Sequence, residues 1–333
     1  MNDDLLGKAL AATASAPGRS ERIGISIIEL FEMFPDDEAA RKWFESVLWA
    51  GGQRTCPYCG SPDTAWEGSK PSVPYRCIIC HGHFSVKTGT VMHRSKIGYR
   101  KWAIAIYMFA TSLKGVSSMK IHRELHITQK SAWFMVQRLR EAWKDTAGAE
   151  KMDGPVEIDE AFFGGSESNK HAGKKGLAKK TAVVGVKDRT TKRIVARPVP
   201  ETTKARLENF VEAHVDADAK KYTDENSAYS GLSNHESVKH GVGEYVRGQA
   251  HTNGMESFWS MMRRGYDGTF HHLSTEHLHR YVNEFAGRHN IRPLDTDAMM
   301  SGIAGGMHGR RLTYRLLIKD GVHARRRERV QAA

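Results

Sequence analysis

The sequence has no run approaching the roughly 20 consecutive apolar residues of a membrane span, and no internal repeat or low-complexity stretch longer than a few residues. A helical membrane protein and a repeat array are thereby excluded. The start, Met1-Asn2-Asp3-Asp4, lacks the basic-then-apolar layout of a secretory signal, so a soluble, cytoplasmic protein without membrane contact is expected. Cysteine is scarce. The four residues form two close pairs with none left over, which fits a metal site in a reducing compartment better than a disulfide framework. Acidic residues are in deficit, with 38 Asp and Glu against 50 Lys and Arg, a net charge of +12 and a pI near 9.5. This balance favours a polyanionic partner, nucleic acid foremost, over a basic surface that is merely solvated. With 333 residues, the chain exceeds what one hydrophobic core of roughly 250 to 300 residues encloses, so two or three domains are expected.

The pattern of motifs divides the chain into an N-terminal helical segment (1–50), a cysteine-bearing ribbon (51–93), a helical region (95–148), an α/β domain (150–295) and a basic C-terminal tail (296–333). In the first, Ser26 with Glu29 three residues on predicts a capped helix from Ile27 to Phe34. Asp36-Asp37-Glu38 opens a second helix carrying Ala39, Trp43, Phe44 and Leu48. In the ribbon, Cys56-Pro57-Tyr58-Cys59 and Cys77-Ile78-Ile79-Cys80 place two thiolates on each of two tight knuckles. Facing each other, these complete a four-sulfur site closed to water, as structural zinc requires; unligated cysteines or two disulfides are the alternatives. His81 and His83 either flank that site or replace one thiolate. The last strand of the ribbon is expected over 82–87.

The helical region has a run with Trp102, Ile106, Tyr107 and Phe109 ending near Gly115, a short helix to Leu125, a turn at His126-Ile127, and a longer helix capped by Thr128. Two helices joined this tightly resemble a helix-turn-helix, in which Gln129, Lys130 and Ser131 lie nearest the bases of double-stranded DNA. An ordinary helical hairpin with a polar outer face is the alternative. Further on, Gly164 to Lys180 is rich in Gly and Lys. There Lys170, Lys174 and Lys175 either contact phosphates or belong to a solvated loop.

From 150 onward the order strand, strand, strand, helix, strand, helix predicts a mixed α/β sheet of the ribonuclease H-like kind, with helices on both faces. Three carboxylates stand on these elements. Asp159 lies in the strand Val156-Glu157-Ile158-Asp159, Asp224 ends Lys221-Tyr222-Thr223-Asp224, and Glu256 sits near the start of a helix whose core stripe is Met255, Phe258, Trp259, Met262 and Tyr266. Oxygen ligands on two strands and a helix can hold two divalent ions about 3.5 to 4 Å apart for in-line attack on a phosphodiester. Each acid also has a plainer reading: an exposed strand residue, a turn residue, and the partner of Asn253 in a capping box. His251 either orients a phosphate or a water, or is a capping or core histidine.

The runs Cys56-Pro57-Tyr58-Cys59-Gly60, Phe84-Ser85-Val86-Lys87-Thr88-Gly89-Thr90, Ile127-Thr128-Gln129-Lys130-Ser131, Glu157-Ile158-Asp159-Glu160 and His251-Thr252-Asn253-Gly254-Met255-Glu256-Ser257-Phe258-Trp259 occur in this order. Together they resemble the zinc-ribbon DDE transposases of bacterial insertion sequences, the group related to Merlin elements. The resemblance covers roughly residues 50 to 292. It implies a ribonuclease H-like catalytic domain in which Asp159, Asp224 and Glu256 bind two Mg2+ or Mn2+ ions. In parts of the family an Asn at the position of Asn253 is the third member, but a carboxylate suits a hard cation better than a neutral carboxamide. Arg263, two helical turns beyond Glu256, takes the place of the family's basic residue on DNA. The implied activity is binding of terminal inverted repeats, cleavage and strand transfer, carried out by at least a dimer on DNA. A transposase-derived regulator without catalysis and a ribonuclease H-like nuclease are the competing functions.

Overall fold

The computed structural model describes residues 18–49, 52–68, 70, 72–143, 150–164, 180–224, 226–237 and 251–318. The chain divides into two compact units: Met1–Ser112 with Val116–Lys144 and Pro293–Ala333, and Leu113–Gly115 with Asp145–Arg292.

In the first unit, α1 (Gly18–Glu21) precedes α2 (Ile27–Met33). The N-terminus of α2 is closed by the expected capping box, with the Glu29 N–H donating to Ser26 Oγ at 3.2 Å and the Ser26 N–H to Glu29 Oε2 at 2.7 Å. Helix α3 (Asp37–Leu48) starts on Asp36, whose carboxylate accepts the Ala39 N–H, and buries Ala40, Phe44 and Leu48. The ribbon is an antiparallel sheet of β1 (Thr64–Trp66), β2 (Tyr75–Cys77) and β3 (His83–Phe84) in that order. Strand β3 stops earlier than the sequence suggests because the chain turns at once: the Ser85 N–H donates to Thr88 Oγ1 at 3.0 Å and the Thr88 N–H to Ser85 O at 2.8 Å. Helix α4 (Tyr99–Thr111) buries Trp102, Ile106 and Phe109 and ends before Gly115. Then come α5 (Ser118–Leu125), a turn in which His126 is left-handed, and α6 (Gln129–Glu141), capped by Thr128 as expected. Ala132, Val136, Leu139 and Trp143 are all buried.

The second unit is built on a five-stranded sheet, ordered β6-β5-β4-β7-β8. Its strands are β4 (Val156–Phe163), β5 (Thr181–Asp188), β6 (Ile194–Val199), β7 (Lys221–Thr223) and β8 (His235–Ser237), with α7 (Lys204–His214) between β6 and β7. The pairs β4·β5 and β5·β6 are antiparallel, and β4·β7 and β7·β8 parallel, so the sheet is mixed. Alternation sends Val156, Ile158, Val184 and Val186 to one face, where Leu207, Phe210 and Val211 of α7 cover them. Ala161, Phe163, Val183 and Ile194 go to the other face. There α8 (Asn253–Gly265) and α9 (Leu278–Ile291) cover them with Met255, Phe258, Trp259, Val282 and Phe285. Burial of this many apolar side chains at about 25 cal/mol per Å² is what holds helices to both faces. Residues of the first unit resume at Pro293. Part of the stretch read as a tail, Thr296–Gly305, is a helix, α10, which packs on α3 and α4. No helix of the described residues is long and apolar enough to cross a membrane.

Candidate active site

Register alone brings two of the acids together. Strand β4 pairs with β7 through Val156↔Lys221 and Glu157↔Tyr222, so two residues further on Asp159 is level with Asp224, just past the end of β7. The strand on the other side offers Gly185 opposite Asp159. A Cβ at Gly185 would collide with the Met255 side chain and lie 3.0 Å from the Trp259 ring. Glycine therefore lets α8 pack down beside Asp159.

The carboxylates are held by donors. Asp159 Oδ1 accepts the Glu160 N–H at 2.8 Å and Oδ2 accepts the indole N–H of Trp259 at 3.1 Å. Asn226 holds the other side, its N–H on Asp224 Oδ1 at 3.1 Å and its Nδ2 on Glu160 Oε1 at 3.0 Å. Carboxylate oxygens of Asp159, Glu160 and Asp224 lie within 4.8 Å of one another. Burial pushes Asp159 up to about 7, with the charges of Asp224 and Glu256 adding to the effect against the donors Glu160 N–H and Trp259. Burial also pushes Glu160 up to about 7, reinforced by Asp224 and Asp159. Three half-buried carboxylates that repel one another and offer only hard oxygen donors form a set that a divalent cation fits.

The structure thus gathers Asp159 and Asp224 with Glu160, a residue the motifs did not single out. Glu256 stands on the exposed side of α8, close enough to raise the Asp159 pKa but outside the group of three. The capping box that is the alternative reading of Asn253 and Glu256 is absent. Thr252 is the N-cap, it makes no side-chain cap bond, and Asn253 is the first, exposed residue of the helix. Arg263 is exposed in the last turn of α8. His251 turns its Nδ1 to Glu157 Oε1 at 3.5 Å. Lys170, Lys174 and Lys175 lie outside the described residues.

Periodicity does not reveal the part played by Trp259 or Glu160. Trp259 belongs to the core stripe and is 2% exposed, but a buried indole N–H must find an acceptor and this one finds Asp159. Glu160 should face away from Asp159 by alternation. However, β7 ends at Thr223, level with Ile158, so past that point no paired strand separates the two faces on the β7 side of β4.

In the ribbon, the sulfurs of Cys56 and Cys80 are 3.6 Å apart, as are those of Cys59 and Cys77, and all four lie within 4.8 Å of one another. A tetrahedron with Zn–S of about 2.3 Å places its sulfurs about 3.8 Å apart, whereas a disulfide needs about 2.05 Å. The four thiols are free and fit a zinc-ribbon metal site. At the start of α6, Gln129 and Lys130 are exposed. Gln129 Nε2 donates to Ser118 Oγ at 3.3 Å, Lys130 Nζ sits 4.6 Å from the Tyr314 ring centroid, and the Ser131 N–H donates to Thr128 Oγ1.

Comparison with known proteins places this site in context. Residues 151–290, which contain all the acids above, match the ISXO2-like transposase domain. An uncharacterized protein in transposable element ISH50 of Halobacterium salinarum is 28% identical over 277 residues, covering 78% of this chain and 92% of that protein. The domain match and the long similarity to a transposable-element protein agree with each other, and this chain is similar over most of its length to proteins of transposable insertion elements.

Proposed function

We propose that this protein binds the terminal inverted repeats of an insertion sequence and catalyses DNA cleavage and strand transfer with two Mg2+ or Mn2+ ions on a ribonuclease H-like domain. The observation that carries this reading is the convergence of Asp159 and Glu160, midway along β4, with Asp224 just past the end of β7, and Glu256 on α8 near enough to act on Asp159. Asp159 and Asp224, with Glu160 in support, would hold the ions from the sheet side, and Glu256 from the helix side. Ions held by these residues would supply Lewis-acid activation of a water or a DNA 3' hydroxyl and charge stabilisation of the leaving oxygen, without need of a covalent protein intermediate. The protein's own part is orientation. Trp259 and the Glu160 N–H fix the Asp159 carboxylate, Asn226 fixes those of Asp224 and Glu160, and Arg263 offers a charge to the phosphate backbone.

Sequence recognition belongs to α5 and α6 as a helix-turn-helix, with Gln129, Lys130 and Ser131 toward the bases, and to the zinc ribbon. Joining two element ends requires at least a dimer on DNA. The test is transfer of an end-labelled oligonucleotide bearing a candidate element end into a plasmid. A transposase yields joined products, a nuclease only cut ones, and a DNA-binding regulator neither.

A further inference from the structure

Helix α8 meets strand β4 through two polar bonds. The first joins Trp259 to Asp159. The second joins the Met255 N–H, in the first turn of α8, to Glu157 Oε2 at 3.0 Å. Glu157 and Asp159 are two residues apart on one face of β4, a spacing of about 6.7 Å, while Met255 and Trp259 are one helical turn apart, about 6 Å. The two intervals match, so the pair of bonds fixes how far α8 has slid along β4.

Glu157 also supplies what the helix lacks. Thr252 makes no side-chain cap bond, and at the positive end of the helix a carboxylate from the neighbouring strand shares the Met255 N–H with Thr252 O, which lies 2.9 Å from the same nitrogen. Only 3% of Glu157 is exposed, and Arg189 neutralises it with Nε on Oε1 at 2.9 Å. Arg189 stacks 4.1 Å from the Tyr222 ring centroid and donates to His251 O at 2.6 Å, tying the residue before Thr252 to the same group. Lys187 Nζ reaches Gly254 O at 3.3 Å. A Cβ at Gly254 would stand 2.6 Å from Glu157 Oε2 and 2.8 Å from Lys187 Nζ. The glycine of Asn253-Gly254-Met255-Glu256 is therefore the room into which this clamp fits.

We infer that Glu157 is a positioning residue which, through the Met255 N–H and the close approach of Gly254, sets the register of α8 on β4 and so places Glu256 against Asp159. This rests on the proposed two-metal reading. In full-length protein, the Mn2+ requirement, read as the dissociation constant in titration calorimetry without DNA, and the split of kcat from KM for cleavage of an end-labelled duplex are measured for Glu157→Ala, Glu157→Gln and Gly254→Ala. Glu157→Ala is expected to raise the Mn2+ requirement and lower kcat by about ten-fold or more, as loss of a residue that orients a metal ligand does, with KM for DNA little changed. Glu157→Gln, which keeps an oxygen for the Met255 N–H but loses the charge facing Arg189, is expected to recover most of kcat. A role confined to the ion pair would leave Gln as poor as Ala, and that result overturns the inference. So does an unchanged Mn2+ requirement and kcat in Glu157→Ala. If Glu157→Ala does not fold, Gly254→Ala decides by the same two quantities. A parent protein that neither binds Mn2+ nor cleaves contradicts the two-metal reading instead.

Discussion

Replacing Trp259 with Phe keeps an aromatic ring in the core of α8 but removes the N–H that Asp159 Oδ2 accepts at 3.1 Å. A hydrogen bond to a charged acceptor contributes about 1.5 to 3 kcal/mol, and the lower figure is apt for a site still open to some water. About 1.4 kcal/mol is a ten-fold change in proton affinity, and loss of a donor to the carboxylate favours the protonated form. Asp159 already titrates at about 7, so at pH 7 about half of it is ionised in the parent, and a ten-fold tighter proton leaves about one in eleven. Since a divalent ion must displace that proton, Mn2+ binding by titration calorimetry should weaken about five-fold at pH 7 and approach parental affinity well above pH 8. Equal affinity across pH 6 to 9 would refute the reasoning, because the indole would then not act on the carboxylate.

Alanine at Asp159, Asp224 or Glu256 is expected to abolish cleavage while binding to element-end DNA in Ca2+ survives, as judged by gel shift. Loss in Asn253→Ala with retention in Glu256→Ala would transfer the third role to Asn253. One zinc per chain is expected by elemental analysis, and its chelation should unfold the ribbon and weaken specific DNA binding, because metal binding at such a site is folding free energy. Asp159 and Glu160 titrate at about 7 in the fold against 3.8 and 4.5 ordinarily. The native state therefore holds more protons than the unfolded chain between about pH 4 and 7, and metal-free stability should fall as pH rises through that window. Melting curves should show this decline, and added Mn2+ should reverse it.

Local signals were legible wherever chemistry is local. The capping box at Ser26, the Thr128 cap and the paired Cys-x2-Cys knuckles are each set by residues a few positions apart, and the structure has them where the sequence puts them. The start of α8 shows the limit of such local signals. Asn253 and Glu256 have capping-box spacing, but the N-cap lies one residue earlier, at Thr252, and Glu157, nearly a hundred positions upstream and brought there by the sheet, accepts the Met255 N–H alongside Thr252 O. A tertiary partner thus joins a local one. The level pairing of Asp159 with Asp224 follows from parallel strand register, which no spacing encodes, and the entry of Glu160 into the site follows from β7 stopping at Thr223. Trp259 shows the remaining difficulty, since periodicity marks it as core without revealing that its one polar atom faces the acids.

Electron paramagnetic resonance of Mn2+ bound to the full-length protein bears most directly on the claim that these acids form a metal-paired catalytic centre. Two ions about 3.5 to 4 Å apart should give a spin-coupled spectrum that disappears in Asp159→Ala and Asp224→Ala. Two uncoupled ions, or a spectrum that both variants leave unchanged, would contradict the account.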